Sequence, residues 1–441
     1  MAHTKIIVLD DDPTGSQTVH SCLLLTRWDA ATLREALLDE APLFFVLTNT
    51  RSMHAQPAAD ITREVCRNLK SVLAYLKEEG VTINPIVVSR SDSTLRGHYP
   101  VETDVIAEEL GPFDAHFLVP AFFEGGRITR DSVHYLMVDG KPVAVHNTEF
   151  AKDSVFGFST AYLPDYVQEK TKGRIQAKDV ERILLTNVRS DMQAQLMALN
   201  NNVCCVVDAE QQSDLDNFCK HLQTAAEHGK RFLFRSAASL ITSLAQLPPQ
   251  SVKPEAMNAY VRDGKPGAVI VGSHVKKTTA QLQQLLNQDG IVPVEVDVDQ
   301  IDANGDLLLQ EINATVHQAH GDGMTPVIFT SRVEKVFTDE NSRLAFGERV
   351  SNFLMDVVRA LPESIGFLIS KGGITSNDVL SHALELRASR VVGQILAGCS
   401  VVCCPPDHPR FANLPVVIFP GNVGDEFALA TVYNRLSLGG S

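Results

Sequence analysis

The chain has 441 residues, 44% of them hydrophobic, with 53 acidic against 39 basic side chains and a formal net charge of -14. That length suits about two domains, and the acidic balance disfavours a nucleic-acid backbone or an anionic membrane surface as partner. The eight cysteines show no Cys-x-x-Cys metal spacing, and no apolar stretch reaches the roughly 20 residues of a membrane span, so the expectation is a cytoplasmic protein with reduced thiols and small-molecule ligands.

Apolar, β-branched runs alternate with helical-period segments along the whole chain, which predicts an α/β fold with largely parallel sheets. The first run, Lys5–Leu9, ends in DDDPTG, so a strand would deliver Asp10, Asp11 and Asp12 to the carboxyl edge of a sheet, where open α/β folds bind ligands. Adjacent carboxylates repel one another and call for cations or hydroxyl donors, unless one of them simply caps the next element. A second run, Leu43–Leu47, is followed by Arg51, and a helix is expected over 58–79, with Ile61, Val65, Leu69, Val72, Leu73 and Leu76 on its apolar face.

The run Pro85–Val88 leads into SRSDSTLRGHYP, which concentrates Arg90, Asp92, Ser93, Thr94, Arg96 and His98 within nine positions. Arginine grips a carboxylate through two parallel N–H bonds, and Asp, Ser and Thr suit hydroxyls, so the pattern describes a polyhydroxy-acid site; the alternative is a solvated, ion-paired loop. His116–Val119 precedes PAFFEGGR and its Arg127, while residues 129–174 suit a hairpin and a long excursion. His54, His98, His116 and His134 lack metal-ligand spacing. After a strand at Val203–Val207, the proline-broken stretch LAQLPPQSVKPE marks a boundary near residue 250, between domains 1–245 and 255–441.

Further strands are expected at Ala268–Val271, Pro326–Thr330, Gly366–Ile369 and Pro415–Phe419. Three are followed by glycine turns: VGSH with Ser273, KGGITSN with Gly372, Gly373, Ile374 and Thr375, and FPGNVGD with Gly421. Glycine lets backbone amides approach phosphate oxygens, although tight connections use it for geometry alone. Neither a G-x-x-x-x-G-K-[ST] loop nor a G-x-G-x-x-G fingerprint is present. Asp10-x-Asp12-x-Thr14 also looks like the nucleophile motif of haloacid-dehalogenase-type phosphohydrolases, with Lys371 and Asp425–Glu426 as distant partners, and a non-catalytic sugar-acid sensor is a third reading.

In their order along nearly the whole chain, DDPTG, SDSTLRG and PAFFEGGR, then VGSH, KGGITSNDV and FPGNVGD, resemble the four-carbon acid sugar kinase family. The resemblance implies two α/β domains with largely parallel sheets facing a central cleft, the first binding a sugar acid and the second ATP with Mg²⁺. It implies phosphorylation of a hydroxyl on a tetronate-like acid, with Asp12 or Asp92 as base and Asp12 preferred. Asp11, Ser93 and Thr94 would hold hydroxyls, and Arg51, Arg90, Arg96 and Arg127 the carboxylate. Ser273, Gly372, Gly373, Ile374, Thr375, Gly398 and Gly421 would line the nucleotide. It singles out no metal-ligating residue, and it is compatible with a homo-oligomer.

Overall fold

A computed structural model describes residues 3–273, 275–332, 340–421 and 423–437; His274 of the VGSH turn and Asn422 of the FPGNVGD turn lie outside them. The chain separates into two compact units that meet in sequence at 248/249. Each is an α/β unit built on its own stretch of mostly parallel sheet.

In the first unit the strands are β1 (His3–Asp10), β2 (Cys22–Leu25), β3 (Leu43–Leu47), β4 (Ile83–Arg90), β5 (Ala115–Val119), β6 (Arg127–Arg130), β7 (Val133–Val138), β8 (Lys141–Ala144), β9 (Glu181–Ile183), β10 (Val203–Val207) and β11 (Phe232–Ser236). Eight pair in parallel in the order β2-β3-β1-β4-β11-β5-β10-β9, and β6-β7-β8 form a separate antiparallel meander that starts two residues before the 129–174 segment expected to hold a hairpin. Strand β3 reads LFFVL with every side chain buried, as expected of a parallel strand covered on both faces. The long helix spans Ala55–Glu78, three residues earlier than expected at its start, and its buried stripe is Ala58, Thr62, Val65, Cys66, Leu69, Val72 and Leu76.

The chain leaves β1 for β3 on one side and then crosses to β4 on the other, so the strand order reverses at β1/β4. Open α/β sheets form a crevice at such a reversal, beyond the carboxyl ends of the strands. Register pairs Asp10 with Arg90, so the DDDPTG and SDSTLRG segments leave the sheet side by side at that point.

The second unit contributes β12 (Ala268–Val271), β13 (Ile291–Val296), β14 (Thr325–Thr330), β15 (Leu368–Lys371), β16 (Ala388–Leu396), β17 (Cys399–Cys403) and β18 (Pro415–Phe419). The order β13-β14-β12-β15-β18 is parallel throughout, and β17 and β16 continue it antiparallel. Here the reversal falls between β12 and β15, whose ends carry Ser273 and the Gly372–Gly373 turn. Strand β15 runs two residues later than Gly366–Ile369, because Gly366 packs against the Lys265 carbonyl and the ladder opens only with Ala268 N–H bonding the Phe367 carbonyl. Lys371 is therefore its last residue. All eight cysteines are free thiols, seven of them buried, and among the described residues no helix is long and apolar enough to cross a membrane.

Candidate active site

At the β1/β4 crevice the two acidic segments fold the same way. Asp12 Oδ1 accepts from Thr14 N–H at 2.9 Å and from the Thr14 hydroxyl; Asp92 Oδ2 accepts from Thr94 N–H at 3.3 Å and from the Thr94 hydroxyl. Each Asp-x-Thr is a side-chain-closed turn that fixes one carboxylate oxygen and leaves the other to external partners. The Arg51 guanidinium lies between them: Nη1 is 3.4 Å from Asp12 Oδ2 and 3.9 Å from Asp92 Oδ1, while Nε donates to Asp11 Oδ2 at 3.2 Å and Nη2 to Asp11 Oδ1. Arg96 Nε donates to Asp92 Oδ2 at 2.9 Å, and its guanidinium lies 4.9 Å from the Phe150 ring centroid.

Below this layer sits a buried one. Asp10 is fully buried against Arg90, itself 4% exposed, with Nη1 3.2 Å from Asp10 Oδ1. A Cβ on Gly15 would stand 1.8 Å from Asp10 Oδ2, so only glycine allows the DDDPTG turn to close over that carboxyl. Burial pushes Asp10 up to about 7, against the opposing pull of Arg90. Glu102 accepts from the Thr50 hydroxyl at 2.6 Å, and burial together with the Asp11 charge raises it to about 7. Burial also acts on Asp12 and Asp92, but Arg51 with Arg90 or Arg96 and the threonine bonds outweigh it, and both stay below the usual carboxylate range. Both are therefore charged at neutral pH.

The second loop is clamped from behind. Buried Arg235 of β11 donates to the carbonyls of Asp92 at 3.0 Å and Arg96 at 2.8 Å, and the Tyr166 hydroxyl donates to the Leu95 carbonyl at 2.8 Å. His134 Nε2 lies 2.7 Å from the Ser93 carbonyl, and Nδ1 2.9 Å from the Thr129 hydroxyl. Burial lowers His134 to about 4, so it is neutral; Nε2–H donates and Nδ1 accepts. Arg127, like the buried Arg235, has no carboxylate as an ion-pair partner among the described residues, but it is only half-buried. Its Nη1 bonds the Gly125 carbonyl at 2.5 Å and its Nε is buried without a partner. Burial lowers its pKa, against the pull of the Asp92 charge.

In the second unit the glycine turns converge. A Cβ on Gly272 would stand 2.3 Å from Thr375 Oγ1, and one on Gly372 3.4 Å from Ser273 Cβ, so the β12 and β15 turns touch. Gly372 has φ +123°, a conformation that excludes other residues without strain. Gly372 N–H bonds the Phe419 carbonyl at 2.8 Å, and Thr278 donates to the Gly421 carbonyl at 3.2 Å, drawing in the third turn. Register sets Ser400 of β17 opposite Ile418 of β18, so Gly398 sits at the same strand-end edge.

Two family models match this chain: a sugar-binding N-terminal domain over residues 6–244 and a nucleotide-binding C-terminal domain over 268–429. The chain belongs to the four-carbon acid sugar kinase family. A D-erythronate kinase of Heliobacterium modesticaldum is 27% identical over 306 residues, 67% of this chain and 63% of the relative, so the match spans under two thirds of that protein's length. By fold it resembles a Haemophilus influenzae protein of the DUF1537 family (TM-score 0.66, 17% identity, 98% and 100% of the two chains). It also resembles a protein described as a putative tRNA synthase from Salmonella typhimurium (TM-score 0.71, 18% identity, 98% of each chain).

The first unit gathers Asp11, Asp12, Arg51, Asp92, Thr94 and Arg96 around one strand-end crevice, with Ser93 in the Asp92–Thr94 turn, Arg127 within the field of Asp92, and Arg90 beneath as the partner of Asp10. Asp11 is 1% exposed and Arg90 4%, whereas the side chains of Asp12 and Arg96 are 22% and 25% exposed, so the latter pair is the more reachable. In the second unit Ser273, Gly372, Thr375 and Gly421 lie on touching turns, Gly373 opens the short helix Gly373–Asp378, and Ile374 is an exposed apolar side chain on it, 66% open. Glu102, Ser91 and Arg235 escape a reading for site residues, while His134 is weighed there only as a metal ligand and Lys371 only as a distant partner of the phosphohydrolase motif. The repeated Asp-x-Thr, at 12–14 and again at 92–94, is the signal in the sequence that pairs the two loops.

Proposed function

We propose that the protein transfers the γ-phosphoryl group of ATP to a hydroxyl of a four-carbon sugar acid, the acid held by the first unit and the nucleotide by the second. The observation that carries this reading is Arg127: a half-buried guanidinium with no carboxylate in ion-pair contact, within the field of the turn-fixed Asp92. A buried cation without a counter-ion is costly, and a substrate carboxylate supplies one through paired N–H bonds. Arg96 and Arg51 face the same charge, while the free oxygens of Asp12 and Asp92 accept from hydroxyls.

Phosphoryl transfer rests on positioning and charge neutralisation. Asp12, the more reachable of the two aspartates, orients the attacking hydroxyl and receives its proton as the oxygen–phosphorus bond forms and ADP leaves. Its lowered pKa suits late proton acceptance, which asks for a fixed charged acceptor more than a strong base. Arg51 holds Asp12 and Asp92 apart and ionised. Ser273, the Gly372–Thr375 turn, Gly398 and Gly421 bind the triphosphate. A Mg²⁺ would be carried on phosphate oxygens and water with one or two carboxylates of the site. That ion would supply charge neutralisation at the transferred group.

The phosphohydrolase reading requires an accessible nucleophile. Asp10 is fully buried under Gly15 and tied to Arg90, so it presents no oxygen for in-line attack. An ATP-consumption screen over four- to six-carbon sugar acids tests the proposal. The expected result is ADP formation that depends on a tetronate-like acid. Phosphate release from sugar phosphates without ATP, or acid binding without ADP formation, would overturn it.

A further inference from the structure

Lys371 ends β15 at the reversal point of the second unit, is fully buried, and has no solvent to hold its ammonium. Its Nζ donates to the Pro420 carbonyl at 2.5 Å and lies 4.2 Å from the Phe419 ring centroid. Three successive carbonyls from the last residue of β18 onward are thus held from within: Phe419 by Gly372 N–H at 2.8 Å, Pro420 by Lys371, and Gly421 by the buried Thr278 hydroxyl at 3.2 Å. The Pro420–Gly421 peptide is trans, so fixing the Pro420 carbonyl toward Lys371 aims Gly421 N–H the opposite way.

We propose that Lys371 is a positioning residue of the nucleotide site, pinning the Pro420 carbonyl so that the Gly421 amide faces the phosphates, and gaining a proton when those phosphates arrive. The role rests on the reading of this unit as the ATP-holding one. A carbonyl free to flip would set a negative dipole against the triphosphate at the same place, so the anchor decides the sign of the local field. Burial pushes Lys371 down to about 7, with the Cys399 thiol of β17 opposing and Lys277 of the helix Lys276–Leu286 adding to the fall. Cys399 is itself raised by burial to about 12 and stays neutral, and the Phe419 and Pro420 side chains of the neighbouring strand end do not titrate. Above pH 7 the amine of the free protein is therefore largely neutral, and a nearby polyanion draws a proton onto it.

The test is titration calorimetry of MgATP into the whole protein at pH 8, without sugar acid, in two buffers of different ionisation enthalpy. The unaltered protein should take up a fraction of a proton on binding. Lys371→Met, similar in length and apolar, should bind MgATP about tenfold or more weakly, the scale of one charge-assisted hydrogen bond, and lose that uptake. Wild-type affinity with undiminished uptake in Lys371→Met would overturn the role while leaving the nucleotide reading intact. Failure of the unaltered protein to bind MgATP would overturn that reading and the role with it. If Lys371→Met does not fold, Thr278→Val removes the neighbouring anchor in the same assay. Weakened MgATP binding there is expected, and retained affinity would overturn the anchoring.

Discussion

Replacing Arg51 by Met keeps much of the side-chain volume and removes the charge that three aspartates share. Asp11 and Asp12 lie 3.2 and 3.4 Å from its nitrogens and Asp92 3.9 Å. At an effective dielectric of about 20 each such contact is worth roughly 4 kcal/mol before desolvation, and the guanidinium's own burial offsets most of the sum. What remains is the cost of leaving a carboxylate such as Asp11, 1% exposed, with only the Ser91 hydroxyl and Arg90 at 4.0 Å, which Asp10 already engages, about 3–5 kcal/mol. At about 2–4 °C per kcal/mol for a domain of this size, the first unit should melt roughly 6–20 °C lower at pH 7. Trp28, the one tryptophan of the chain, lies in that unit, so its fluorescence follows the relevant transition.

The pH dependence supplies the sign. In the wild type, burial of Asp12 and Asp92 is outweighed by Arg51 and its neighbours, so their folded pKa values lie below the unfolded ones and their contribution is present above about pH 4. Without Arg51, burial is opposed by less, the folded values rise, and the variant binds protons on folding; it regains stability as the pH falls from 7 toward 4.5 while the wild type gains none from these groups. The gap in Tm should therefore be widest at pH 7 and narrower at pH 4.5. A shift under about 3 °C at pH 7, or a gap equal at both pH values, would refute the account of Arg51 as the shared counter-charge.

Asp12→Asn should lower turnover by about 10²–10⁴-fold with MgATP affinity close to wild type, measured by coupled ADP release and calorimetry; unchanged turnover would remove the base assignment. Gly372→Ala forces a side chain into φ +123° with its Cβ 3.1 Å from Thr375 Oγ1, a strain of about 1–3 kcal/mol, and should raise the KM for ATP while Trp28 still reports a native first unit. Asp10 has a folded pKa near 7, above its unfolded value, so it costs stability as pH rises from about 4 to 7. Asp10→Asn should flatten that stretch of the Tm profile, which a melting series from pH 4 to 8 would show.

Much of the parallel scaffold could be read from apolar runs, because strands such as LFFVL and VCCVV are buried on both faces and carry no competing period. Strand β11 escaped that reading: FLFRS has a charged residue at its fourth position, and Arg235 is nonetheless 1% exposed because two loop carbonyls absorb its donors. Strand β16 alternates half-buried and buried side chains over ASRVVGQIL, and β17 follows it as an antiparallel return, where the pattern of a buried parallel strand does not apply. The acidic and guanidinium segments were legible because chemistry concentrated in a few positions survives without knowledge of packing. Which of them point outward was not. Arg90 and Arg96 are equivalent as letters, yet one closes a strand against Asp10 and the other follows the turn beyond it, a difference set by β1/β4 register alone.

Both units put their candidate residues where strand order reverses, yet they solve opposite electrostatic problems there. The first surrounds its crevice with fixed ions of both signs, so a ligand carrying one carboxylate and several hydroxyls finds a partner for each group, and Arg127 remains the cation with a vacancy for charge. The second lines its turns with glycine, hydroxyls and main chain, and keeps Lys371 buried inside the sheet edge. On the proposed reading, a triphosphate held mainly by amides and a carried metal ion would leave as ADP after transfer. On that same reading, the placement rule yields a charge-matched seat for the acceptor and a dipole-lined seat for the donor, and the loss of Arg51 should cripple the first far more than the second.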